Sequence, residues 1–171
     1  MKTNALSVAN YFIELANKEE KAIHLLGLVK RVYIAHGFAL ALLGHGLLDE
    51  RFDHVEAWKY GPVIPSVYHS FKQYHTSRIT KKTDVMEWND NLEPTFVKPE
   101  LTGNDEKTIV EMVWKRYANF SDSDLVSLLH ADGTPWRLCY VEGLNCEIPD
   151  ELTERFYQIV VERVRKRMEM R

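Results

Sequence analysis

The chain has 171 residues, of which 45% are hydrophobic and 27% charged, and its formal net charge at pH 7 is −3. This length predicts a single domain with a sizeable core, and this charge excludes a general electrostatic attraction to nucleic acid or anionic lipid. Cys139 and Cys146 provide neither a disulfide framework nor zinc-ligand spacing, and the N-terminus lacks the apolar core of a signal peptide. We therefore expect a cytoplasmic protein in a reducing compartment.

The N-terminal part of the chain predicts two helices. Ser7 is a candidate cap for the first helix, and the polar run that starts at Asn17 interrupts its pattern. The second helix is expected to begin near Lys21 and to end at Gly44, since glycine is favoured just beyond a helix C-terminus. The apolar segment 32–43 is shorter than the roughly 20 residues that cross a bilayer, so we interpret it as part of a buried core helix.

The segment Glu56–Tyr68 is the most informative part of the sequence. Trp58 and Tyr60 alternate in a strand-like run, and Gly61-Pro62 predicts a turn. Pro65 can then start a third helix, because the first turn of a helix does not use the amide that proline lacks. Such a bend has two interpretations: a packing corner of the core, or a surface that recognises a partner.

The rest of the chain predicts several short elements and a long last helix. In chain order these are the third helix at 65–74, a hairpin formed by 79–85 and 96–97, a helix at 109–117, a helix capped by Ser121, a turn or helix at Pro135-Trp136, and a last helix from Pro149. The predicted apolar residues are Leu125, Leu128 and Leu129 in the short helix capped by Ser121, and in the last helix they are Leu152, Phe156, Ile159, Val160, Val164 and Met168. The fold class is therefore mainly α (α+β), a compact multi-helix single domain with a small antiparallel sheet or hairpin.

Residue spacing provides no catalytic or metal-binding motif. The seven histidines include no HExxH sequence, and the chain has neither a nucleotide-binding glycine motif nor a GxSxG sequence. His36 lies in the apolar second helix and His130 at a predicted helix C-terminus, so both are interpreted as structural residues with satisfied polar atoms. The alternative is a metal-assisted hydrolase whose histidines converge only in the fold.

A basic stripe is predicted at the C-terminus. Arg163, Lys166, Arg167 and Arg171 recur there at helical spacing. Cations complement the dipole at a helix C-terminus, so a solvated helix face explains the stripe. Binding of nucleic acid or of an acidic protein partner is the alternative.

Several motifs resemble a known family in sequence and in order. They are Ala9-Asn-Tyr-Phe12, the segment Leu25–Gly37 that ends in Val-Tyr-Ile-Ala-His-Gly, Glu56-Ala-Trp-Lys-Tyr-Gly-Pro-Val63 with Pro65, Val67 and Tyr68, then His130 and Pro135-Trp136. Together they resemble the Panacea domain, the family of the SocA-like antitoxins and the phage-associated GepA proteins. The motif positions that we expect to be structural are Tyr33, His36, Trp58, Gly61, Pro62, Pro65, His130, Pro135 and Trp136.

The resemblance implies a mostly helical single domain over residues 1–171 that acts as an antitoxin by binding a toxin encoded beside it. It implies no enzyme activity, cofactor or metal. In the SocA branch it also implies delivery of the bound toxin to a ClpXP-type protease, whereas other members neutralise directly. The chain lacks the helix-turn-helix segment of some relatives, and Leu129 stands before His130 where the family often has threonine.

A toxin-binding surface needs on the order of 800 Å² on each partner and uses aromatic or arginine anchors. The candidate partner-binding residues are Trp58, Tyr60, Tyr68, Tyr74, Arg163 and Arg167. We expect the interface near the corner formed by Trp58 and Tyr68, with no membrane partner.

Overall fold

The computed structural model describes residues 3–170. Its helices are α1 (Ala5–Lys18), α2 (Leu25–Leu43), α3 (Pro65–Phe71), α4 (Asn104–Arg116), α5 (Asp122–His130), α6 (Pro135–Cys139) and α7 (Asp150–Glu169), and a 3₁₀ turn (Lys72–Tyr74) extends α3. Its strands are β1 (Glu56–Trp58), β2 (Gly61–Val63), β3 (Val85–Trp88), β4 (Pro94–Val97) and β5 (Cys146–Glu147). Helices predominate, which confirms the predicted mainly α (α+β) class.

Two small antiparallel sheets accompany the helices. In the first, β1 lies between β2 and β5, with Trp58 opposite Gly61 and Ala57 opposite Cys146. In the second, β3 and β4 form a hairpin. Strand β2 contacts both α2 and α5, so the first sheet lies against the helical core.

Helix α2 is the centre of the core. All of its residues from Gly27 to Ala39 are buried, and α1, α4, α5 and α7 pack around it. By length and composition this helix could also cross a membrane, but 72% of its most apolar window is buried by the rest of the fold. This burial agrees with the interpretation of the segment as a core helix.

The first helix begins with a cap that differs from the predicted one. The Asn4 side chain accepts a hydrogen bond from the Ser7 amide at 2.9 Å, and the Asn4 amide donates to the Ser7 hydroxyl at 3.2 Å. The prediction that Ser7 is the cap is wrong, because this reciprocal capping box places Ser7 inside the first turn.

Helix α2 begins later than the sequence predicts and ends where expected. It starts at Leu25 rather than near Lys21. The Ile79 amide donates to the Ile23 carbonyl at 2.9 Å, and this contact with a distant segment holds the chain outside the helix. Gly44 ends α2 in the left-handed conformation, with a φ of 74°.

The predicted hairpin exists, but its first strand is displaced along the chain. Strand β3 begins at Val85, whereas the sequence predicted a strand that ended there. The Asn89 side chain accepts hydrogen bonds from the amides of Asn91 and Glu93 at 3.0 and 2.9 Å. These bonds fix the turn after Asn89, so the strands pair on either side of it, and Ile79 is buried outside any strand.

The later helices begin at the predicted signals. Ser121 caps α5 and forms a capping box with Asp124. Pro135 occupies the first turn of α6, where Thr134 is the cap, and Pro149 stands directly before α7. These starts are local in origin, which explains why the sequence predicts them.

The buried faces of α5 and α7 are narrower than predicted. Leu125 and Leu129 are buried, but Leu128 is 38% exposed. In α7 the buried residues are Thr153 and Tyr157 rather than the predicted set. The predicted residues of α7 are half-buried or exposed: Leu152, Phe156, Val160 and Val164, then Ile159 and Met168.

Gly37 explains the orientation of α7. A Cβ on Gly37 would lie 2.2 Å from the Tyr157 ring, so only glycine admits that ring to the contact between α2 and α7. The same ring packs edge-to-face against Phe38 and Tyr33, with centroid distances of 4.9 and 6.2 Å. Tyr157 is only 2% exposed, so a Cβ on Gly37 would have to displace a buried aromatic ring.

We predict that Gly37→Ala lowers the free energy of unfolding by about 2 kcal/mol. Alanine improves helix propensity by about 1 kcal/mol, whereas over-packing costs about 1–3 kcal/mol. Because the Cβ would lie so close to the Tyr157 ring, the over-packing cost at this site should be at or beyond the upper end of that range. Urea denaturation measures the change. The double variant with Tyr157→Leu should lose less than the sum of the single changes, and strictly additive losses would contradict the steric explanation.

Candidate hairpin-groove site

The β1–β2 hairpin positions the candidate site. Trp58 pairs with Gly61, so Lys59 and Tyr60 form a two-residue turn. The prediction that Gly61-Pro62 is the turn is therefore wrong: both residues belong to β2, and Gly61 takes a φ of 103° directly after the turn. Pro62 is tolerated because β2 is an edge strand, where a missing amide leaves no ladder bond unmade.

Helix α3 completes the corner and joins it to the core. Pro65 occupies its first turn, as predicted, and Val67 and Phe71 are buried. Tyr68 packs edge-to-face against Trp58, with 4.9 Å between the ring centroids. Part of the predicted corner is therefore core packing. The outer side of the corner is the part that a partner could contact.

An apolar groove with a volume of about 230 Å³ lies between α2 and this corner. We call it the hairpin groove. Its apolar lining residues are Leu25, Leu26, Val29, Trp58, Val63 and Tyr68. Its other lining residues are Lys30, Lys59, Tyr60 and His75. Tyr60 is 60% exposed at the turn, so a large aromatic side chain is available to a partner beside the groove.

Lys30 is a fully buried lysine that lines the hairpin groove. Its side chain has 0% exposure, and its Nζ donates a hydrogen bond to the Pro62 carbonyl at 2.8 Å. Burial lowers the pKa of Lys30 to about 7, because the ammonium form loses its hydration. A buried lysine of this kind is costly to maintain, which makes it a candidate functional residue.

His130 lies close to Lys30 and stacks on Trp136, with the ring centroids 3.6 Å apart. The Trp136 Nε1 donates to the Trp58 carbonyl at 2.7 Å and thereby ties α6 to the hairpin. The His130 Nε2 is buried and has no hydrogen-bond partner among the described residues, so the prediction that its polar atoms are satisfied is wrong. Burial, followed by the nearby charges of Lys30 and Arg137, lowers the pKa of His130.

The ionisable side chains that line the hairpin groove include lysine and histidine but no carboxylate among the described residues. No aspartate or glutamate lines it within residues 3–170. Glu56, in the adjacent strand, is occupied by hydrogen bonds with Trp58 Nε1 at 2.6 Å and His54 Nε2 at 2.8 Å. The groove therefore combines apolar walls with hydrogen-bond donors, the composition typical of a site that orients a mostly apolar ligand or side chain.

The structure brings together three of the predicted partner-binding residues. Trp58, Tyr60 and Tyr68 all line the hairpin groove. Tyr74 instead lies against Phe71, with 6.5 Å between the ring centroids, and is not part of the groove lining. The groove is thus built from residues that are contiguous in the hairpin and α3 and from one face of α2.

The predicted basic residues lie elsewhere. Arg163 and Arg167 are exposed on α7, outside the hairpin groove. Lys166 forms an exposed ion pair with Glu162 at 2.7 Å, as expected for a solvated helix face. Arg171 lies outside the described residues. Nothing in this arrangement connects the basic stripe to the groove.

Two further motif residues hold α2 against α7. His36 accepts a hydrogen bond from the Leu47 amide at 3.1 Å, and its Nε2 lies 2.9 Å from the Asp150 carboxylate. His36 is therefore a satisfied structural histidine, as predicted. The Tyr33 hydroxyl lies 3.3 Å from the Thr153 hydroxyl inside the same contact.

Metal binding was the alternative interpretation of the histidines. Within residues 3–170, no group of three or more histidine, cysteine, aspartate or glutamate side chains is arranged to hold a metal ion. The described part of the chain therefore offers the hydrolase alternative no candidate metal centre.

Lys30 is the residue of this site that the sequence analysis did not identify. It lies inside a helix that is apolar on most sides. This position is a sequence signal for a buried charge, because a lysine in the middle of a fully buried helical segment has no access to water. The proximity of Lys30 to His130 could not be predicted from the sequence, since the two residues are far apart in the chain. They come close only through the packing of α5 beside β2.

Family comparison places the chain in a known class of protein. The sequence model described as "Antitoxin SocA-like, Panacea domain" matches residues 28–137. The chain belongs to this family, as its motifs predicted. The matched segment contains Lys30, the β1–β2 hairpin and His130, whereas α7 with its basic stripe lies beyond it.

A named relative supports the same assignment. The chain is 33% identical over 137 residues to Antitoxin SocA of Caulobacter vibrioides (strain NA1000 / CB15N). The aligned region covers 78% of this chain and 68% of that relative. No solved structure matches the chain.

Proposed function

We propose that this protein is an antitoxin that neutralises a toxin by binding it directly through the hairpin groove and the adjoining Tyr60 turn. The family membership and the identity to a protein named Antitoxin SocA support the antitoxin role. The observation that carries the choice of surface is the groove itself, because it pairs an exposed aromatic side chain with an apolar recess inside the family-matched part of the chain.

The physical properties of this surface suit protein binding. Aromatic anchors that fill pockets contribute most of the energy in many interfaces, and Trp58 and Tyr68 already form a fixed wall against which such an anchor can pack. A fixed wall loses little conformational entropy on binding. The groove would form the centre of an interface of on the order of 800 Å² per partner.

This proposal includes a non-catalytic role, in which the protein acts as one domain over residues 1–171 in the cytoplasm. One cluster of buried apolar residues extends from Ala5 in α1 to Tyr157 in α7, which supports a single cooperative unit. Delivery of the bound toxin to a ClpXP-type protease, which the resemblance to the SocA branch implies, would be a second step after binding.

Co-expression with the products of the adjacent genes tests the proposal. We expect one adjacent gene to arrest growth when expressed alone and to lose that effect when this protein is present, and we expect the two proteins to co-purify. A host without the protease separates the two routes: direct neutralisation persists there, whereas delivery to the protease requires it. If no adjacent product is toxic or bound, the antitoxin proposal is wrong.

A further inference from the structure

A second apolar groove lies between α7 and the C-terminal ends of α4 and α5. We call it the α7 groove and define it by five of its lining residues, Arg116, Phe120, Leu128, Phe156 and Val160. Its volume is about 330 Å³, and it continues through Phe120 and Leu128 into a wider concave region of about 520 Å³. Within the described residues it shares no lining residue with the hairpin groove, so the two surfaces are separate.

The α7 groove is open to solvent although most of its walls are apolar. Phe120 and Leu128 are each 38% exposed, and Phe156 and Val160 are half-buried. Burial in α7 ends at Tyr157, and no later side chain of this helix is buried within the part of the chain that the structure describes. Accessible apolar side chains beside a helix that continues past the core are typical of a surface that another molecule covers.

Arginines extend the face of α7 that lines this groove. Phe156 and Val160 line it and are four residues apart. Because residues three and four apart share a helix face, Arg163 and Arg167 continue that face toward the end of α7. Arg116 borders the groove from the end of α4. All three arginines are exposed, and none forms an ion pair with another described residue.

Acidic side chains beside this surface already have partners. Asp124 lines the wider region, and its carboxylate accepts hydrogen bonds from the Ser121 amide and hydroxyl at 2.8 and 2.7 Å. On α7, Glu162 forms an ion pair with Lys166 at 2.7 Å. The three arginines therefore form a cationic rim whose charge an external anion can complement.

We infer that the α7 groove binds an acidic amphipathic helix of a partner protein. The apolar face of that helix would pack against Phe120, Leu128 and Val160. Its carboxylates would pair with the cationic rim, which consists of Arg116, Arg163 and Arg167. The inference does not depend on toxin binding at the hairpin groove, because the two surfaces are separate.

The dimensions of the surface favour a helix as the occupant. The groove-facing residues of α7 from Phe156 to Arg167 span about 17 Å, or three helical turns. A partner helix repeats its apolar residues over the same distance, one per turn, and amphipathic helices commonly bind in apolar grooves in this way.

Two other occupants fit the surface less well. Nucleic acid would pair with the arginines through its phosphates but would leave the apolar walls without a partner. A symmetric contact with a second copy of the chain would bring two cationic rims together, and like charges repel. An acidic amphipathic helix complements both the walls and the rim.

The test uses isotope-labelled protein and three synthetic peptides of about 15 residues. The peptides share leucines at helical spacing and carry glutamate, glutamine or lysine at the flanking positions. We expect the glutamate peptide to give saturable NMR shifts at the amides of Phe120, Leu128 and Val160, with about tenfold higher affinity than the glutamine peptide. The lysine peptide should bind more weakly than either. Equal affinities for glutamate and glutamine peptides, or no saturable shifts at these amides, would overturn the inference.

A matched pair of variants separates the rim from general charge attraction. Arg163→Gln combined with Arg167→Gln should lower the affinity for the glutamate peptide at least fivefold. The control combines Arg165→Gln with Lys166→Gln, which removes the same charge from other faces of the same helix and should cost less than twofold. All four residues are exposed, so neither variant should disturb folding. Equal losses in the two variants would contradict a specific rim.

Two further measurements address the other occupants. We expect a duplex DNA of about 16 base pairs to bind more weakly than the glutamate peptide, and sedimentation to show no dimer that depends on this groove. Tighter binding of the DNA, lost in the Arg163 and Arg167 variant, would assign the surface to nucleic acid instead. A dimer that Val160→Glu dissociates would assign it to a second copy. Neither measurement uses the toxin, so either result overturns this inference and leaves the proposed function to its own test.

Discussion

Lys30→Met is expected to remove most of the gain in stability that the unmodified protein shows between pH 6 and pH 9. The pKa of Lys30 is about 7 in the folded protein, whereas an unfolded lysine has a pKa of about 10.4. Between these values the unfolded state binds one more proton than the folded state. The free energy of unfolding therefore rises with pH across this window and is lowest below pH 7.

The size of this effect follows from the width of the pH window. Each pH unit well inside the window between the two pKa values contributes about 1.4 kcal/mol. Because folded Lys30 is half protonated at pH 7, the step from pH 7 to pH 9 amounts to about 2 kcal/mol. Methionine has a similar length and carries no charge. We expect the variant to be more stable than the unmodified protein at pH 6, although it loses the hydrogen bond from Nζ to the Pro62 carbonyl, worth about 1 kcal/mol.

Urea denaturation of both proteins at pH 6, 7, 8 and 9 measures the difference in slope. Other groups titrate nearby: the lowered pKa of His130 adds stability as the pH rises near 6, and the raised pKa of Cys139 removes stability near pH 9. Both groups remain in the variant, so the difference between the curves reports Lys30 together with the part of the His130 shift that the Lys30 charge causes. Parallel curves would mean that Lys30 is not held in the neutral form by burial.

A destabilising buried lysine needs a reason to be present. A methionine or leucine at position 30 would fit the apolar surroundings of α2, and natural proteins usually accept such costs at sites where function requires them. Lys30 lines the hairpin groove, the proposed toxin-binding surface, which would give its cost a functional reason.

The parts of the fold that were predictable from sequence are those with local causes. Gly44 ends α2 because its backbone adopts the left-handed conformation, and Ser121 caps α5 through its own side chain. Pro65 and Pro135 start helices for an equally local reason. Apolar periodicity identified the long helices, so the fold class followed from the sequence.

The errors arise where distant segments meet. The start of α2 depends on a bond from Ile79 to Ile23, and the buried face of α7 depends on the space that Gly37 leaves for Tyr157. Neither partner is visible from the local sequence. The wrong position predicted for the turn, at Gly61-Pro62, has a similar origin. The pairing of Gly61 with Trp58 decides which residues form the turn.

The candidate site divides in the same way. Its aromatic wall was predictable, since Trp58, Tyr60 and Tyr68 stand close together in one motif. The proximity of Lys30 and His130 was not, because these residues come from helices that β2 brings together. Arg163 and Arg167 were predicted as partner-binding residues from their charge alone. The sequence does not show whether they lie on the same surface as Trp58, Tyr60 and Tyr68.

Tyr60→Ala is expected to weaken the complex with the cognate toxin at least thirtyfold and to leave the melting temperature unchanged. Tyr60 is 60% exposed in a turn, so its removal disturbs little of the folded protein. As an aromatic residue beside a preformed apolar groove, it has the properties of a hot spot, for which truncation costs about 2 kcal/mol or more. That free energy corresponds to a factor of about 30 in the dissociation constant.

The matched control is Phe96→Ala in the second hairpin. Phe96 is 74% exposed and, with Trp88 at 63%, forms the apolar surface that competes most directly with the hairpin groove for the role of toxin interface. Calorimetric titration of each variant with the toxin identified by co-expression, together with thermal denaturation, compares the two surfaces. Loss of affinity in Phe96→Ala with full affinity in Tyr60→Ala would move the interface to the β3–β4 hairpin, whereas the opposite result assigns it to the groove that contains Lys30.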